Sequence, residues 1–442
     1  ALGRLLYDLD ADVAISIWSE KSSFSTDNKR NQELARELGI PFLDSDELYS
    51  WLSKQKKAVI GIDALFGIGF NGAMRAYYRP AVEFLNDRRH ISEVLSVDMP
   101  GGMPTEEELS SNEEWVVKAT DTLSFEFPKP SFFYRNHEEY LGNWHVLDIG
   151  FDVEAIQDEK ALAITIDVED MRSILLHRKR FDYKNSIGHV CLCGGSRGKY
   201  GAIVIASHAC LRGGAGLLTV AAPKSAFSII QSTVPEAMFL ENSGVDYLQT
   251  APDFTAFHSL GLGPGMDQKE ESKQFIRSAL QSDKPIVIDA DALNALAQDQ
   301  ELLELLHQDC LLTPHDGEFR RLVGEWSNEK ERMDKLKQFV QKHNCTVLLK
   351  GPYSMIASSL GLSLSINTSG NPGMAVGGMG DALTGILAAL LARGYNVYQA
   401  ACLGAFVHGR AGDYAATEYG FESLLPSDLI EYLPDVWMEL YE

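Results

Sequence analysis

The sequence predicts an α/β protein of two domains, each a parallel sheet covered by helices. Three observations carry this. At 442 residues the chain is too long for one hydrophobic core of ordinary size. Short apolar runs alternate with polar, helix-forming stretches, which is the pattern of βαβ units. That alternation stops once, after Asp148-Ile149-Gly150, and restarts from Gly188, which divides the chain.

Taken in order, residues 1–10 read as the later part of an amphipathic helix, with Leu2, Leu5, Leu6 and Leu9 at helical spacing. No initiator Met, signal peptide or capping residue precedes it, so native residues upstream of Ala1 are expected. Apolar runs at 13–18, 58–62, 94–97 and 122–125 are expected strands, and 31–38 is an expected helix. Residues 102–112 are acidic and polar and read as an exposed loop. The expected first domain is 1–150, a connector is expected at 151–165, and 166–442 form the second domain. There HVCLCGG, LLTVAAP, SLGLGPG, PIVIDADAL and TVLLKGP each read as a strand ending in a turn. Open α/β sheets bind ligands outside the carboxyl ends of their strands, so these turns are where chemistry is expected.

The composition, 45% hydrophobic and 23% charged, is that of an ordinary folded protein. A net charge of −23 argues against nucleic acids and anionic membranes as partners, because both need a positive field. It leaves nucleotides open, since a glycine loop and a metal can hold phosphate locally. No apolar run reaches the roughly 18 residues of a membrane span. The six cysteines are scattered without metal-type CxxC pairs, and Cys191 and Cys193 share one expected strand. That usage fits buried thiols in a reducing cytoplasm, and a homo-oligomer is expected.

The strongest motif is NTSGNPGMAVGGMGD, residues 367–381, followed by Leu383, Ile386, Leu387, Leu390 and Leu391 at helical spacing. Gly377, Gly378 and Gly380 therefore precede a helix N-terminus, where free N–H groups and the macrodipole favour an anion. Asp381 could take a proton from a hydroxyl beside that anion, or simply cap the helix. Lys350-Gly351-Pro352-Tyr353-Ser354 reads as a turn after a core strand or as a phosphate contact with Lys350 supplying charge. In Thr313-Pro314-His315-Asp316-Gly317-Glu318, His315 could hydrogen-bond a ring amide or ribose and Glu318 could cap the next helix, or the loop is structural. No second His or Cys stands at zinc spacing. Gly194-Gly195-Ser196-Arg197-Gly198 lacks the full dinucleotide spacing and reads equally as a tight turn. Gly261-Leu262-Gly263-Pro264-Gly265 is a second glycine turn. Asp289 and Asp291 are candidates for metal or hydroxyl contacts, with helix capping as the plainer role for Asp291. In the first third, Asp63 and Asp98 each end a strand beside a glycine loop, an arrangement that suits a monovalent cation and a polar ligand.

Taken together, these segments resemble the bifunctional NAD(P)H-hydrate repair enzymes. GGSRGKYGA, RGGAGLLTVAAP, LGLGPG, VIDADALNAL, LLTPHDGEF, LLKGPYS, NTSGNPGMAVGGMGD and AFVHGRAGD follow one another in family order. IDALFGIGFNG, SVDMPGG and FPKP with YLGNWHVLDIG resemble the N-terminal half of that family. The resemblance implies a Rossmann-like three-layer N-terminal domain that epimerises NAD(P)HX. It implies a ribokinase-like three-layer α/β/α C-terminal domain that dehydrates NAD(P)HX with ADP or ATP.

Roles carry over to the matching residues. Lys350, Gly351, Pro352, Tyr353, Ser354 and Gly380 would hold the nucleotide, with Mg2+ on its phosphates. Ala202, Gly265, His315 and Asp381 would contact the hydrated substrate, with Asp381 as the catalytic base. In the first domain Gly67, Ile68, Gly69, Phe70, Asn71, Gly72 and Asp98 would contact NAD(P)HX, and Asp63 and Gly101 would bind potassium. There are departures. The KGxxG pattern reads Lys184-Asn185-Ser186-Ile187-Gly188, the GNNGGDG loop expected just before Ala1 is absent, and Gly101 replaces the usual serine. A ribokinase-like kinase acting on a small vitamin or sugar hydroxyl, with a non-catalytic N-terminal scaffold, is the alternative.

Overall fold

The computed structural model describes residues 1–19, 24–67, 70, 74–109, 115–152, 161–361 and 363–442. They form two units, Ala1–Lys160 and Ala161–Glu442.

In the first unit four parallel strands stand in chain order: β1 Val59–Asp63, β2 Ile91–Val97, β3 Asp121–Phe125 and β4 Asn143–Leu147. Its longer helices are α1 Leu2–Asp8, α2 Thr26–Glu37, α3 Ser45–Leu52 and α4 Arg79–Asn86. Helix α3 starts at a capping box of Asp44 and Glu47, which satisfies N–H groups the first turn leaves unpaired. Pro80 in the first turn of α4 gives up an N–H that would have had no partner there. Leu52, Val82 and Leu85 from these helices pack with Ile91, Val94 and Val117. In register on the opposite sheet face lie Ile60, Ile62, Phe125 and Leu147, all exposed. Burial therefore alternates along β1.

Two expectations for this unit change. The run 13–18 is no strand of the sheet; Ile15 alone makes one parallel bridge, to Phe42. An apolar run becomes a strand only where a neighbour offers a ladder. Helix α1 forms, but its stripe is not a core face, since Leu2, Leu5 and Leu9 are exposed.

The second unit is built on a ten-stranded sheet in the order β5-β14-β13-β12-β11-β10-β9-β6-β7-β8. Its strands are β5 Ala163–Ile166, β6 His189–Cys193, β7 Leu217–Ala222, β8 Met238–Glu241, β9 Ser259–Leu262, β10 Ile286–Ile288, β11 Cys310–Leu312, β12 Thr346–Leu349, β13 Ser354–Ser358 and β14 Leu364–Asn367. Neighbours are parallel except at β12–β13 and β13–β14. Every residue of β9, β10, β11 and β12 is buried, which requires cover on both faces. The helices that matter below are α5 Tyr200–Arg212, α6 Ala290–Gln298, α7 Asp316–Val323, α8 Met379–Ala392, α9 Val397–Ser423 and α10 Pro426–Tyr441.

Strand β5 starts inside the stretch expected to be a connector, because residues 163–165 pair in parallel with β14. An edge strand this short is specified by its partner's free backbone groups more than by its own pattern. All six cysteines are free and buried. Among the described residues no helix is long and apolar enough to cross a membrane.

Helix α8 is the centre of the core, buried along almost its whole length. It can lie this close to α5 because residue 385 is glycine: a Cβ there would stand 2.0 Å from the Ala206 carbonyl oxygen. Alanine at an unhindered helical glycine gains roughly 0.5–1 kcal/mol. At Gly385 it is expected to cost roughly 1–3 kcal/mol by overpacking. A thermal melt of Gly385→Ala should fall below that of the parent; a melt at or above it would remove this contact from the core.

Candidate functional site

The site of the second unit lies where β9 to β12 end and α8 begins. Gly378, at φ 101°, is the N-cap of α8, and Asp381 is its third residue. Only glycine adopts that φ without strain. Asp381 is thus not the cap, and among the described residues no donor bonds its carboxyl. Its neighbours Met379 and Gly380 carry N–H groups with no partner in the helix, the ordinary means of holding an anion.

The loop before α8 is held in place from α9. Asp413 accepts from Gly370 N and Asn371 Nδ2, both at 3.0 Å. The loop lies directly on that helix: a Cβ at Gly409 would come within 2.3 Å of Ser369, and one at Gly412 within 2.4 Å of Met374. His408, on the same helix, donates from Nε2 to the Met379 carbonyl at 2.9 Å. Burial pushes its pKa down to about 4, so it is a neutral donor. This accounts for the spacing of His, Gly, Gly and Asp in AFVHGRAGD.

Beneath the start of α8 the buried Asp289 forms an ion pair with the part-buried Lys350. Lys350 Nζ is 2.7 Å from Asp289 Oδ1, and Thr384 Oγ1 donates to Asp289 Oδ2 at 2.9 Å. Burial opposes the charge on Lys350, but Asp289, Glu318 and Asp381 outweigh it and raise the pKa, so the ammonium stays charged. Gly380 lies close against that ammonium, 3.2 Å from where a Cβ would stand. Asp381 is pushed up to about 6, first by burial and then by the charge of Asp289, with Lys350 pulling the other way.

A cleft of about 570 Å³ opens here, lined among others by Lys199, Ala202, Gly265, Asp291, Asn294 and Asp381. Gly265, at φ 59°, lies against the Lys199 carbonyl, 2.6 Å from where a Cβ would stand. Ala202, Gly265 and Asp381, expected together from the sequence, do share this cleft. Lys350 and Gly380 meet beside it through the ion pair.

Other expected residues stand apart. Lys350 follows β12 and Ser354 opens β13, so Gly351, Pro352 and Tyr353 make a hairpin turn and none of the three lines the cleft. Gly351 and Pro352 are exposed. His315 is the N-cap of α7. Its Nδ1 accepts from Gly317 N at 3.0 Å and Glu318 N at 3.3 Å, while Glu318 Oε2 accepts from His315 N at 2.9 Å. The cap expected at Glu318 is therefore shared, and Glu318 rather than His315 lines the cleft. Asp291 is not a cap either. The N-cap of α6 is Asp289, and Asp291 binds Lys199 Nζ at 3.2 Å and Asp267 N at 3.0 Å. Sequence reading passed over Lys199, Asn294 and Thr384. Asn294 and Thr384 each lie three residues past a recognised motif position, Asp291 and Asp381, a spacing that a helix turns back toward the same face.

In the first unit Asp98 has φ 68°, an uncommon conformation for a non-glycine residue and a mark of a functional position. Its carboxylate pairs with Lys129 Nζ at 2.9 Å, and the same ammonium donates to Ser124 Oγ and to the Phe125 and Phe127 carbonyls. Gly67 lies against Asp98, where a Cβ would stand 2.9 Å from Oδ2. Phe70 packs on Phe66, while Ile68, Gly69, Asn71 and Gly72 lie outside the described residues.

Asp63 is buried and accepts from Leu65 N, Ser96 Oγ and Gly101 N at 3.1, 2.9 and 2.7 Å. Burial raises its pKa against the pull of those donors. The Gly101 carbonyl already accepts from Val117 N at 2.9 Å. Among the described residues Asp63 and the Gly101 backbone thus share one hydrogen-bond network that leaves acceptor capacity on Asp63 Oδ1 and on the Gly101 carbonyl, and potassium there stays an expectation.

The second unit has the fold of a ribokinase-like superfamily protein from Enterococcus faecalis, at 25% identity and a TM-score of 0.55, over 64% of this chain and 98% of that one. It is also similar to an ADP/ATP-dependent NAD(P)H-hydrate dehydratase from Bacillus subtilis co-crystallized with ATP/Mg2+, at 26% identity and a TM-score of 0.53, over 62% of this chain and 97% of that one. A family model described as NAD(P)H-hydrate dehydratase matches residues 190–435, and one described as YjeF-related protein N-terminus matches residues 1–131. Bifunctional NAD(P)H-hydrate repair enzymes align along the whole chain. The one from Moorella thermoacetica is 31% identical over 100% of this chain and 85% of its own length. The one from Coxiella burnetii is 30% identical over 98% and 86%. The chain belongs to the bifunctional NAD(P)H-hydrate repair enzyme family.

The raised pKa of Asp381 has a stability consequence. Below about pH 4 the carboxyl is protonated in folded and unfolded chains alike; above about 6 it is ionised in both, and only the folded state bears the burial penalty. A shift of this size corresponds to roughly 2–3 kcal/mol. Asp381→Asn, neutral and of the same shape, should melt higher than the parent at pH 8, with the gap closing as pH falls to 4. A gap independent of pH would refute the strained carboxylate.

Proposed function

We propose that the second unit dehydrates (S)-NAD(P)HX to NAD(P)H at the cost of ADP, with Asp381 as base. The observation that carries this is a carboxylate that burial pushes up to about 6, bonded by no donor among the described residues, at a helix start that can hold phosphate and in a cleft of ligand size. Asp381 takes the proton of the nicotinamide-ring hydroxyl, and the freed oxygen attacks the terminal phosphorus of the nucleotide. The bond from that phosphorus to the nucleotide's bridging oxygen breaks, so ADP leaves as AMP. The ring carbon–oxygen bond then breaks to release phosphate, and a proton leaves the adjoining carbon as the double bond re-forms. Hydroxide is a poor leaving group and phosphate a good one, which is why a lyase consumes a nucleotide.

Lys350 and the N–H groups at the start of α8 supply positive potential to the phosphates. Ala202 and Gly265 shape the wall for the hydrated substrate, with His315 at its edge, and the hairpin 351–354 borders the nucleotide. Among the described residues no group of three or more metal-type ligands is preformed. That suits Mg2+ carried in on the phosphates and met by one carboxylate, with Asp291 the candidate. Magnesium, when bound, neutralises phosphate charge. In the first unit Asp98 and Lys129 are the acid–base pair for interconverting the R and S hydrates. Six buried free thiols support a reducing compartment such as the cytoplasm.

Incubation with NADHX and ADP or ATP, followed at the near-ultraviolet maximum of NADH, tests the dehydratase; a stable phosphate ester of another hydroxyl with no NADH recovered would favour the kinase. Asp381→Ala should cut turnover about 10²–10⁴-fold and leave nucleotide binding intact, while unchanged turnover takes the role from Asp381. Parent activity should rise as Asp381 ionises through pH 6 and then level off; a flat profile across pH 5–7 counts against it. Asp98→Asn should slow R-to-S epimerisation and spare dehydration of the S form. Equal epimerisation rates would leave the first unit a scaffold.

A further inference from the structure

Residues 177–184 set Arg178, Lys179, Arg180 and Lys184 within eight positions of a chain whose net charge is −23. Neither reaction uses this segment. It borders a second cleft, of about 430 Å³, lined by His177, Arg178, Arg212, Arg393, Trp437 and Tyr441. The three arginines come from three separate elements: the loop before β6, the last residue of α5 and the C-cap of α8.

Each part of the cleft is held in place. Arg178 Nη2 donates to the Gly214 carbonyl at 2.7 Å, and Arg393 Nη2 to the Leu176 carbonyl at 3.0 Å. Trp437 Nε1 donates to the Arg212 carbonyl at 3.0 Å, which sets the indole beside the arginines. The Arg393 guanidinium lies 5.6 Å from the Trp437 ring centroid, and the His177 and Tyr441 rings meet at a tilt of 51° with centroids 5.3 Å apart. Among the described residues no carboxylate pairs with Arg178, Arg212 or Arg393. Cations at helix C-termini offset the macrodipole, which accounts for Arg212 and Arg393 singly. It does not account for a third guanidinium, nor for their convergence on one aromatic-walled cavity without a counter-charge. Guanidinium forks match phosphate oxygens, and an indole face takes a planar ring.

We propose that this cleft is a second nucleotide-binding site, with the phosphates on Arg178, Arg212 and Arg393 and the base against Trp437. It is distinct from the catalytic cleft. Helices α5 and α8 carry Ala202 and Asp381 in their first turns and Arg212 and Arg393 at their far ends. The 14 residues of α8 put the two sites about 20 Å apart.

Calorimetric titration of the full chain with ADP should find two equivalents bound; a single equivalent that persists unchanged in Arg178→Glu with Arg212→Glu overturns the proposal. ADP should also quench Trp437, so the signal should vanish in Trp437→Phe; an unaltered quench overturns it. That readout belongs to the second cleft and stands even if the catalytic reading fails. Arg178→Glu with Arg212→Glu should weaken the second equivalent at least tenfold, with the first equivalent and NADHX dehydration retained. Survival of both equivalents at parental affinity refutes the site. Adenosine binding there as tightly as ADP would remove the phosphate role, and tripolyphosphate binding as tightly would remove the base.

Discussion

The ion pair of part-buried Lys350 with buried Asp289 is the interaction on which the second unit depends. It joins the ends of β10 and β12 to the first two turns of α8, since Thr384 bonds the same carboxylate and Gly380 lies against the ammonium. A buried charge is tolerated only when paired and hydrogen-bonded, so three elements must meet with little freedom. Asp381 feels both members. Burial raises its pKa first, Asp289 adds to the rise and Lys350 restrains it, which leaves a carboxyl pushed up to about 6. The structural pair thus adjusts the chemistry of a residue it does not touch.

The rest of the unit keeps those two turns still. Helix α8 is walled in by α5 through a backbone contact at Gly385, and α9 holds the preceding loop through Asp413 and the neutral His408. Small residues in α8 and α9 are there because backbone approaches backbone. The same rigidity carries the far ends of α5 and α8 to one place, where Arg212 and Arg393 meet Arg178 and Trp437.

Much of the candidate site's backbone was legible in the sequence because its signals are local. A glycine pattern before a helix, a strand ending in Lys-Gly-Pro and an Asp-Ala-Asp at a strand end each report a short stretch of backbone. Where sequence reading went astray, the deciding partner was distant. His315 caps α7 because its ring faces two N–H groups, and Asp291 is drawn off by Lys199, 92 positions away. The strand expected at 13–18 found only Phe42 to pair with, and β5 was recruited by β14. Lys129 drew no notice because nothing local says that its ammonium returns to Asp98.

The sequence by itself determined the α/β class, the glycine turns at strand ends and Asp381 at a helix start. These follow from periodicity and from the φ angles that glycine permits. Tertiary structure alone decided which charges meet. Which donors Asp63 accepts from, and whether Asp381 titrates near 4 or near 6, depends on burial and on groups tens of residues away. Desolvation and Coulomb interaction act through space, and only the folded chain sets those distances.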